Sequence, residues 1–272
     1  MKKTIIDSNF KFLKLDLKEL FQFKDLFVTL TYREYRVRYA QTILGFLWAL
    51  LQPLATLIIF TFIFGKAIKV QTGDIPYPVF AMSGISIWTY FSFVISQAGK
   101  SLINSQSMIQ KIYFPRIILP LSRAFIGFID FFITLILLFI LIIYYDVSIS
   151  PNIVFFPFFI FVAIIAALGV GIWISALTVR FRDFQQIIPF IIQIGLYSTP
   201  IAYSTLYISK KYHLIYYCIN PMVGVVEGFR WCFFGYGEIN HYTFYSILIV
   251  FLVFVSSVFY FKKVEKIMAD II

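Results

Sequence analysis

The chain has 272 residues, of which 61% are hydrophobic and only 13% are charged, and its mean hydropathy is +0.88. Soluble domains are about a quarter charged, so this composition excludes a soluble enzyme and predicts a protein surrounded largely by lipid. The net charge of +10 would suit nucleic-acid binding in a soluble chain. Here the basic residues flank apolar blocks, which favours membrane topology and argues against nucleic acid.

Residues 1–43 are expected to form a cytoplasmic segment without a cleavable signal peptide, because no unbroken apolar core precedes a small-residue cleavage site. Within it, Phe10–Leu30 predicts an amphipathic helix in the headgroup layer. The alternative is an ordinary cytosolic helix packed on the rest of the protein. The polar face would carry Lys11, Lys14, Lys18, Gln22 and Asp25, and the apolar face Leu13, Leu17, Leu20 and Phe27.

Residues 44–272 are expected to form one all-α membrane domain of six spanning helices, since a span needs about 20 mostly apolar residues. The first span contains Pro53, and the fifth is interrupted by Pro189, Gly195 and Pro200. The predicted spans are Leu44–Phe64, Tyr77–Val94, Ile117–Tyr144, Ile153–Thr178, Ile187–Tyr203 and Phe244–Phe261.

The distribution of basic residues predicts the orientation. With the N-terminus in the cytoplasm, about 18 Lys and Arg residues fall on the cytoplasmic side and about 5 outside. The opposite orientation would violate the positive-inside rule. We therefore expect a multi-pass protein of the bacterial inner membrane with both termini in the cytoplasm.

The external segment between the last two spans, Ser204–Tyr242, is unusually rich in aromatic and aliphatic residues. A solvated loop would be more polar, so short re-entrant helices buried in protein are predicted. A hydrophobic cap on the outer surface is the alternative. Cys218 and Cys232 are predicted to stay unbridged, because a free cysteine often packs as a small apolar residue.

Motifs for enzyme chemistry are missing from the sequence. The two histidines, His213 and His241, stand alone, which is more typical of a structural role than of catalysis or metal binding. Gly99-Lys100-Ser101 imitates the end of a phosphate-binding loop, but Val94 occupies the position where that loop needs glycine. No catalytic residue and no metal ligand is predicted, and ATP chemistry would belong to another chain.

Four short sequence motifs match the pattern of one known protein family. The longest is residues 32–53, YREYRVRYAQTILGFLWALLQP. It resembles the permease subunit of type-two ABC exporters of cell-surface polysaccharides, such as O-antigen, capsule and teichoic-acid exporters. Glu34 stands where Asp is common in that family, and Thr42 where Ser is common. The other three motifs are residues 112–116 (IYFPR) with Leu119-Pro120, Arg180–Asp183 and Asn220-Pro221.

The resemblance implies a type-two ABC exporter permease fold, with an interface helix, six spans and short external helices before the last span. It implies a homodimer assembled with two copies of an ABC ATPase subunit, which would bind ATP and Mg, while this chain holds no cofactor. The implied substrate is a polyisoprenyl-diphosphate-linked, O-antigen-like glycan. The alternatives are a teichoic-acid or capsule exporter and, in another class, a membrane-embedded glycosyl- or acyltransferase.

Candidate site residues follow from charge, aromatic character and the family pattern. Arginine binds phosphate in a bidentate manner, so Arg33, Arg36 and Arg38 are predicted to bind the lipid diphosphate at a cytoplasmic gate, with simple membrane topology as the alternative. Contact with the ATPase is predicted at Gln106, Lys111, Arg116, Arg180, Arg182 and Asp183, within the loop Lys100–Arg116 and the turn after the fourth span.

Rings can stack on sugars, so Trp88, Tyr90, Phe91, Tyr197 and Tyr203 are predicted to line the glycan path, with interface belts as the alternative. The external gate is expected at Asn220, Pro221 and Arg230. A carboxylate facing lipid is costly, so Asp130 is predicted to face the bundle or the dimer seam, either bound to a polar partner or protonated. Arg123 lies about 10 Å away along the helix axis, too far for a direct bond unless both side chains stretch.

Overall fold

The computed structural model describes residues 17–39 and 47–268, and within these ranges every regular element is helical. In chain order the α-helices are α1 (Leu17–Gln22), α2 (Lys24–Tyr39), α3 (Leu47–Phe60), α4 (Tyr77–Asn104), α5 (Gln106–Lys111), α6 (Ile118–Tyr144), α7 (Phe156–Arg180), α8 (Phe184–Ser198), α9 (His213–Ile219), α10 (Met222–Phe234) and α11 (His241–Glu265). A π-helical turn, Thr61–Ala67, continues α3, and 3-10 turns lie at Pro151–Phe155, Thr205–Tyr207 and Lys210–Tyr212.

Over the described residues, five helices are long and apolar enough to cross a membrane: α3 with its π-helical turn, α4, α6, α7 with its preceding 3-10 turn, and α11. The predicted all-α membrane fold is therefore confirmed. The fifth predicted span, Ile187–Tyr203, corresponds to the shorter helix α8. Its 15 residues extend about 22 Å, less than the roughly 30 Å of a bilayer core.

Helix α8 ends early because of proline. Pro200 disfavours a helical conformation in the residue before it, and Thr199 is extended, with φ −88° and ψ 142°. The chain then turns into the 3-10 elements that lead to α9 and α10. The predicted short helices of the segment Ser204–Tyr242 are thus present.

Helix α4 is the centre of the bundle. In the most apolar stretch of α4, 78% of the residues are buried, against 22% in the corresponding stretch of α3 with its π-helical turn. Helix α4 packs against α6 and α7. It ends at Asn104, ten residues beyond the predicted end at Val94. The extra turns are helical because Ser101, which reads as a loop residue, is buried beside Ser175 of α7 and donates to the Ala98 carbonyl. Lys100 thus belongs to α4, and the predicted loop begins only at Ser105.

The bundle has two chemically different ends. The end at which α4 and α7 finish and α6 and α8 begin carries the loop 105–117 and the turn 181–183, and we call it the basic end. The opposite end carries residues 199–240, which include α9 and α10. Tight packing fixes α10 there, because a Cβ on Gly228 would lie 1.8 Å from Cε1 of Phe159 in α7.

Between residues 17 and 39 the chain forms two helices, α1 and α2. Phe23 interrupts the predicted helix Phe10–Leu30, and α2 continues to Tyr39. The predicted positions Lys11, Leu13 and Lys14 lie outside the described residues. The side chains of α2 pack on α6, as Phe27 and Phe125 show with ring centroids 5.9 Å apart. The alternative interpretation of this segment, a helix packed on the protein, therefore applies to at least one face of α2.

Candidate functional site

A polar cavity of about 420 Å³ lies between helices that are otherwise apolar. Five helices border it: α2, α3, α4, α6 and α8. Its lining residues are Glu34, Val37, Arg38, Gln52, Thr89, Ser92, Phe93, Ser96, Gln97, Arg123, Ile126, Asp130 and Ile192. Four charged groups inside a membrane-type bundle are expensive, and such groups usually mark the path of a substrate or ion.

One helix supplies most of the uncharged polar lining. Thr89, Ser92, Ser96 and Gln97 lie on α4 at positions i, i+3, i+7 and i+8, which places them on one face of a helix. Sequence reasoning missed this stripe because it treated α4 as a source of aromatic lining. The signal was present, since hydroxyl and amide residues recur there with the period of a helix inside an apolar span.

The carboxylate of Asp130 lies beside the cavity and is buried. Arg38 forms an ion pair with its Oδ2, and the Tyr39 hydroxyl donates to its Oδ1 at 2.6 Å. Burial and the bond to Asp130 raise the pKa of Tyr39 far above its ordinary value, so this hydroxyl stays protonated and keeps donating. The predicted polar partner of Asp130 therefore comes from α2. Asp130 itself lies about 18 Å along α6 from the first residue of that helix.

A second ion pair joins the same two helices. Arg123 of α6 donates to Oε2 of Glu34, and Arg33 donates to Oε1 of the same carboxylate at 2.7 Å. Glu34 is 8% exposed. Arg123 thus bonds to Glu34 and not to Asp130, as the helical spacing predicted.

The three arginines predicted to bind a diphosphate have different surroundings. Arg38 borders the cavity, and its guanidinium stacks 4.2 Å from the ring centroid of Phe93. Arg33 reaches the cavity only through Glu34, and Arg36 is exposed and is not part of the lining. Arg123, which the sequence placed only among intramembrane polar residues, faces the cavity.

The residues predicted to contact an ATPase lie at the basic end. Gln106 and Lys111 begin and end α5, and Arg116 follows it. The backbone N–H of Arg116 donates to Oε1 of Glu265 at 2.9 Å, and its guanidinium donates to the Glu265 carbonyl. Arg180, the last residue of α7, is exposed, as are Arg182 and Asp183 in the turn between α7 and α8.

This loop is also bonded to the N-terminal helices. The Tyr113 hydroxyl donates to Oε1 of Glu19 in α1 at 3.0 Å. Burial, with a smaller contribution from that bond, raises the pKa of Tyr113. The loop is therefore connected to α1 at one point and to the end of α11 at another, a connection that the sequence does not reveal.

The predicted aromatic lining is dispersed. Trp88, Tyr90 and Phe91 are buried within the chain, and Tyr90 packs on Phe128 with ring centroids 5.0 Å apart. Tyr197 is 57% exposed. The Tyr203 hydroxyl is held by the Tyr197 carbonyl and the Tyr216 hydroxyl. None of the five predicted rings lines the cavity, whose aromatic member is Phe93.

The three residues of the predicted external gate join separate elements at the opposite end. Asn220 donates to Oγ1 of Thr199 at 2.8 Å, and the Pro221 carbonyl accepts from Ser246 of α11 at 2.6 Å. Arg230 is fully buried. Its guanidinium donates to the carbonyls of Pro200 and Ile201, pairs with Glu227 and stacks on the ring of Phe80.

Both cysteines are free, as predicted. Burial raises the pKa of Cys232 to about 12, so this thiol is unreactive. His213 Nε2 lies 2.9 Å from the Ile208 carbonyl, a structural contact. Among the described residues no three metal-ligating side chains cluster.

Comparison with known proteins places the chain in a family. Residues 25–234 match the family model of the ABC-2 type transporter. The O-antigen export system permease protein RfbA of Klebsiella pneumoniae is 31% identical, over 87% of this chain and 88% of that protein. A second Klebsiella pneumoniae protein of that name is 28% identical, over 96% of this chain and 98% of the relative.

More distant relatives include the polysialic acid transport protein KpsM of Escherichia coli, which is 26% identical over 72% of this chain and 76% of that protein. The family predicted from the sequence motifs is thereby confirmed. Because the family model spans most of the chain, and five helices of the described residues are long and apolar enough to cross a membrane, this protein belongs to the ABC-2 type transporter family of membrane permeases.

Proposed function

We propose that this chain is the membrane-spanning subunit of an ATP-driven exporter that moves a polyisoprenyl-diphosphate-linked polysaccharide across the bacterial inner membrane. The observation that carries the proposal is the cavity, in which two guanidiniums and a stripe of hydroxyl and amide groups border one space inside an apolar bundle. Guanidiniums bind phosphate in a bidentate manner, and hydroxyl and amide groups hydrogen-bond to sugars. The names of the relatives support the same substrate class.

The lipid part of this substrate would lie against the apolar surface around the cavity. Val28, Tyr32 and Val37 of α2 are exposed, as are Trp48 and Leu51 near the start of α3. A prenyl chain on these side chains would place its diphosphate at the height of Arg38 and Arg123. In this proposal Arg38 and Arg123 bind the diphosphate, while Arg33 orients Glu34.

The positive-inside rule supports placing the basic end and both termini in the cytoplasm. Lys262 and Lys263 at the end of α11 join the loop 105–117 and the turn 181–183 at that end. Arg123 of the cavity, in the second turn of α6, would then lie near the cytoplasmic end of that helix. The segment 199–240 would face outside, and Arg230 would hold its external gate closed.

Two copies of an ABC ATPase, which would bind ATP and Mg, are proposed to dock at the basic end. The exposed turn Arg180–Asp183 and the helix α5 are short, basic elements of the kind that dock into grooves. Because Tyr113 bonds to α1 and Arg116 to the end of α11, movement of this loop would reach both helices.

A second copy of the chain is proposed to complete the glycan path. Helix α3 is mostly unburied within one chain, and in α8 only Ile188 is buried. Isologous pairing of these surfaces would give a two-fold channel between copies. Tyr197, which is exposed on α8, would then be the predicted aromatic residue best placed to border the path.

Deletion of the gene in its own bacterium tests the proposal. We expect loss of the surface polysaccharide and accumulation of the lipid-linked glycan in the cell, with both restored by the intact chain. Arg123→Gln should restore at least about tenfold less surface glycan, whereas Lys24→Gln, an exposed cation on α2, should restore it fully. Normal surface glycan in the deletion strain would refute the proposed function.

A further inference from the structure

The ion pairs between α2 and α6 have a composition that suits exchange with an anion. The cluster contains three guanidiniums, of Arg33, Arg38 and Arg123, and two carboxylates, of Glu34 and Asp130, so its formal net charge is +1. Both carboxylates are buried, whereas the Arg38 side chain is 33% exposed. The cluster therefore attracts an anion, but its guanidiniums are already engaged by carboxylates.

One donor of the cluster is unused. Nη1 of Arg38 is buried and has no hydrogen-bond partner among the described residues, which is costly for a charged group. The rest of this guanidinium bonds to Asp130 and stacks on Phe93. A buried free donor beside a polar cavity indicates a place for an acceptor that the chain does not supply.

We propose that Arg38–Asp130 and Arg123–Glu34 form an anion-operated latch: a diphosphate headgroup takes both arginines from their carboxylates, and this releases α2 from α6. The inference rests on the proposed function and adds how the substrate changes the protein. The two ion pairs and the Tyr39–Asp130 hydrogen bond join these two helices.

Charge explains why release follows binding. A diphosphate carries at least two negative charges, and two buried carboxylates cannot remain beside it without repulsion. Once Arg38 and Arg123 bind phosphate, Asp130 is a buried charge without its counter-ion, and Glu34 keeps only its pair with Arg33. The loss of these counter-ions strongly destabilises the closed contact. Moving α2, which carries Glu34, Arg38 and Tyr39, lets water reach both carboxylates.

The test uses the full chain with its ATPase in phosphatidylcholine nanodiscs, and geranylgeranyl diphosphate as the probe. Spin labels at Tyr32→Cys and Phe132→Cys, both exposed positions, report the α2–α6 distance in a Cys218→Ser background. We expect the distance to increase with the diphosphate and to stay unchanged with geranylgeraniol. An increase caused by phosphatidylglycerol alone would assign the latch to bulk anionic lipid and overturn the substrate part of the proposal.

Affinity provides the second measurement. Asp130→Asn and Glu34→Gln remove a competing carboxylate while keeping shape, so each should bind the probe about tenfold more tightly. The matched controls Asp74→Asn and Glu238→Gln, exposed at the opposite end, should bind it as the unsubstituted chain does. Folded variants that bind the probe no more tightly than the unsubstituted chain would contradict the proposal.

The label distance in the chain with an intact latch keeps the test decisive even if the variants fold poorly, since neither label touches the ion pairs. An unchanged distance with bound diphosphate refutes the latch. The proposed function is tested separately, because it depends on the amount of surface glycan in the deletion strain and not on this distance.

Discussion

Asp130 is a carboxylate in the middle of an apolar helix, and both of its hydrogen-bond partners come from α2. The position of Asp130 in an apolar helix indicates that its carboxylate needs a polar partner. Helical spacing places Arg123 out of reach. The identity of the partner could not be predicted, because Arg38 lies 92 residues earlier and the path of α2 across α6 is set by packing. The same holds for Glu34, which the sequence analysis noted only as a variation on a family motif.

A double-mutant cycle tests the interaction between Arg38 and Asp130. We expect Arg38→Gln and Asp130→Asn to be coupled by about 1–3 kcal/mol in the free energy of unfolding, because Arg38→Gln leaves the buried Asp130 without its counter-ion and Asp130→Asn leaves Arg38 without its carboxylate. Reversible unfolding in mixed micelles measures the four proteins. Additive effects within about 0.5 kcal/mol would show that the two side chains do not interact.

The role of Arg230 depends on the shape of its side chain as well as on its charge, and this can be tested. Its planar guanidinium reaches the carbonyls of Pro200 and Ile201 together, and an ammonium on a flexible stem cannot reproduce that geometry. Arg230→Lys should therefore lower the free energy of unfolding by about 2–4 kcal/mol. Lys211→Arg, an exposed change in the same segment, should alter it by less than about 0.5 kcal/mol. Equal stability of the two variants would contradict the structural role of Arg230.

At the scale of elements, long apolar runs were enough to predict α6 and α11, because twenty or more apolar residues have few other solutions. The full length of α4 was not predictable in this way. Its last turns contain glycine, lysine and serine, and they are helical only because α7 packs against them. The early end of α8 follows from Pro200, which the sequence shows.

The contact between α8 and α4 is tight enough to test. A Cβ on Gly195 would lie 2.5 Å from Cη2 of Trp88, so Gly195→Val must push the helices apart or shift the ring. We expect a loss of about 1–3 kcal/mol in stability. A smaller ring in the double variant Gly195→Val, Trp88→Phe should recover part of it. If the double variant is no more stable than Gly195→Val, the clash is not at Trp88.

For the whole molecule, the family and the broad function followed from sequence motifs, whereas the cavity required the structure. Its wall combines residues of five helices that are far apart in the chain. None of the five rings predicted to line the glycan path borders this cavity, and Trp88, Tyr90 and Phe91 are buried inside the chain. Their role in a glycan path stays a prediction. The helical spacing of hydroxyl and amide residues on α4 predicts the cavity better than the aromatic residues do.

Coupling to an ATPase is testable by cross-linking in the assembled complex. In a Cys218→Ser background, cysteines at Gln106 and Phe184 should each cross-link to the ATPase subunit, since both positions lie at the basic end. Asp74→Cys at the opposite end should not. Cross-links from Asp74→Cys with none from the other two positions would reverse the proposed orientation.

The most direct measurement of the central claim is transport by the purified chain and its ATPase in sealed vesicles that contain the lipid-linked glycan. Accessibility of the glycan to a membrane-impermeant oxidant reports its arrival in the far leaflet. We expect ATP-dependent transfer by the intact complex, reduced at least about tenfold by Arg38→Gln or Arg123→Gln. A complex that hydrolyses ATP normally yet moves no glycan across the bilayer would contradict the central claim.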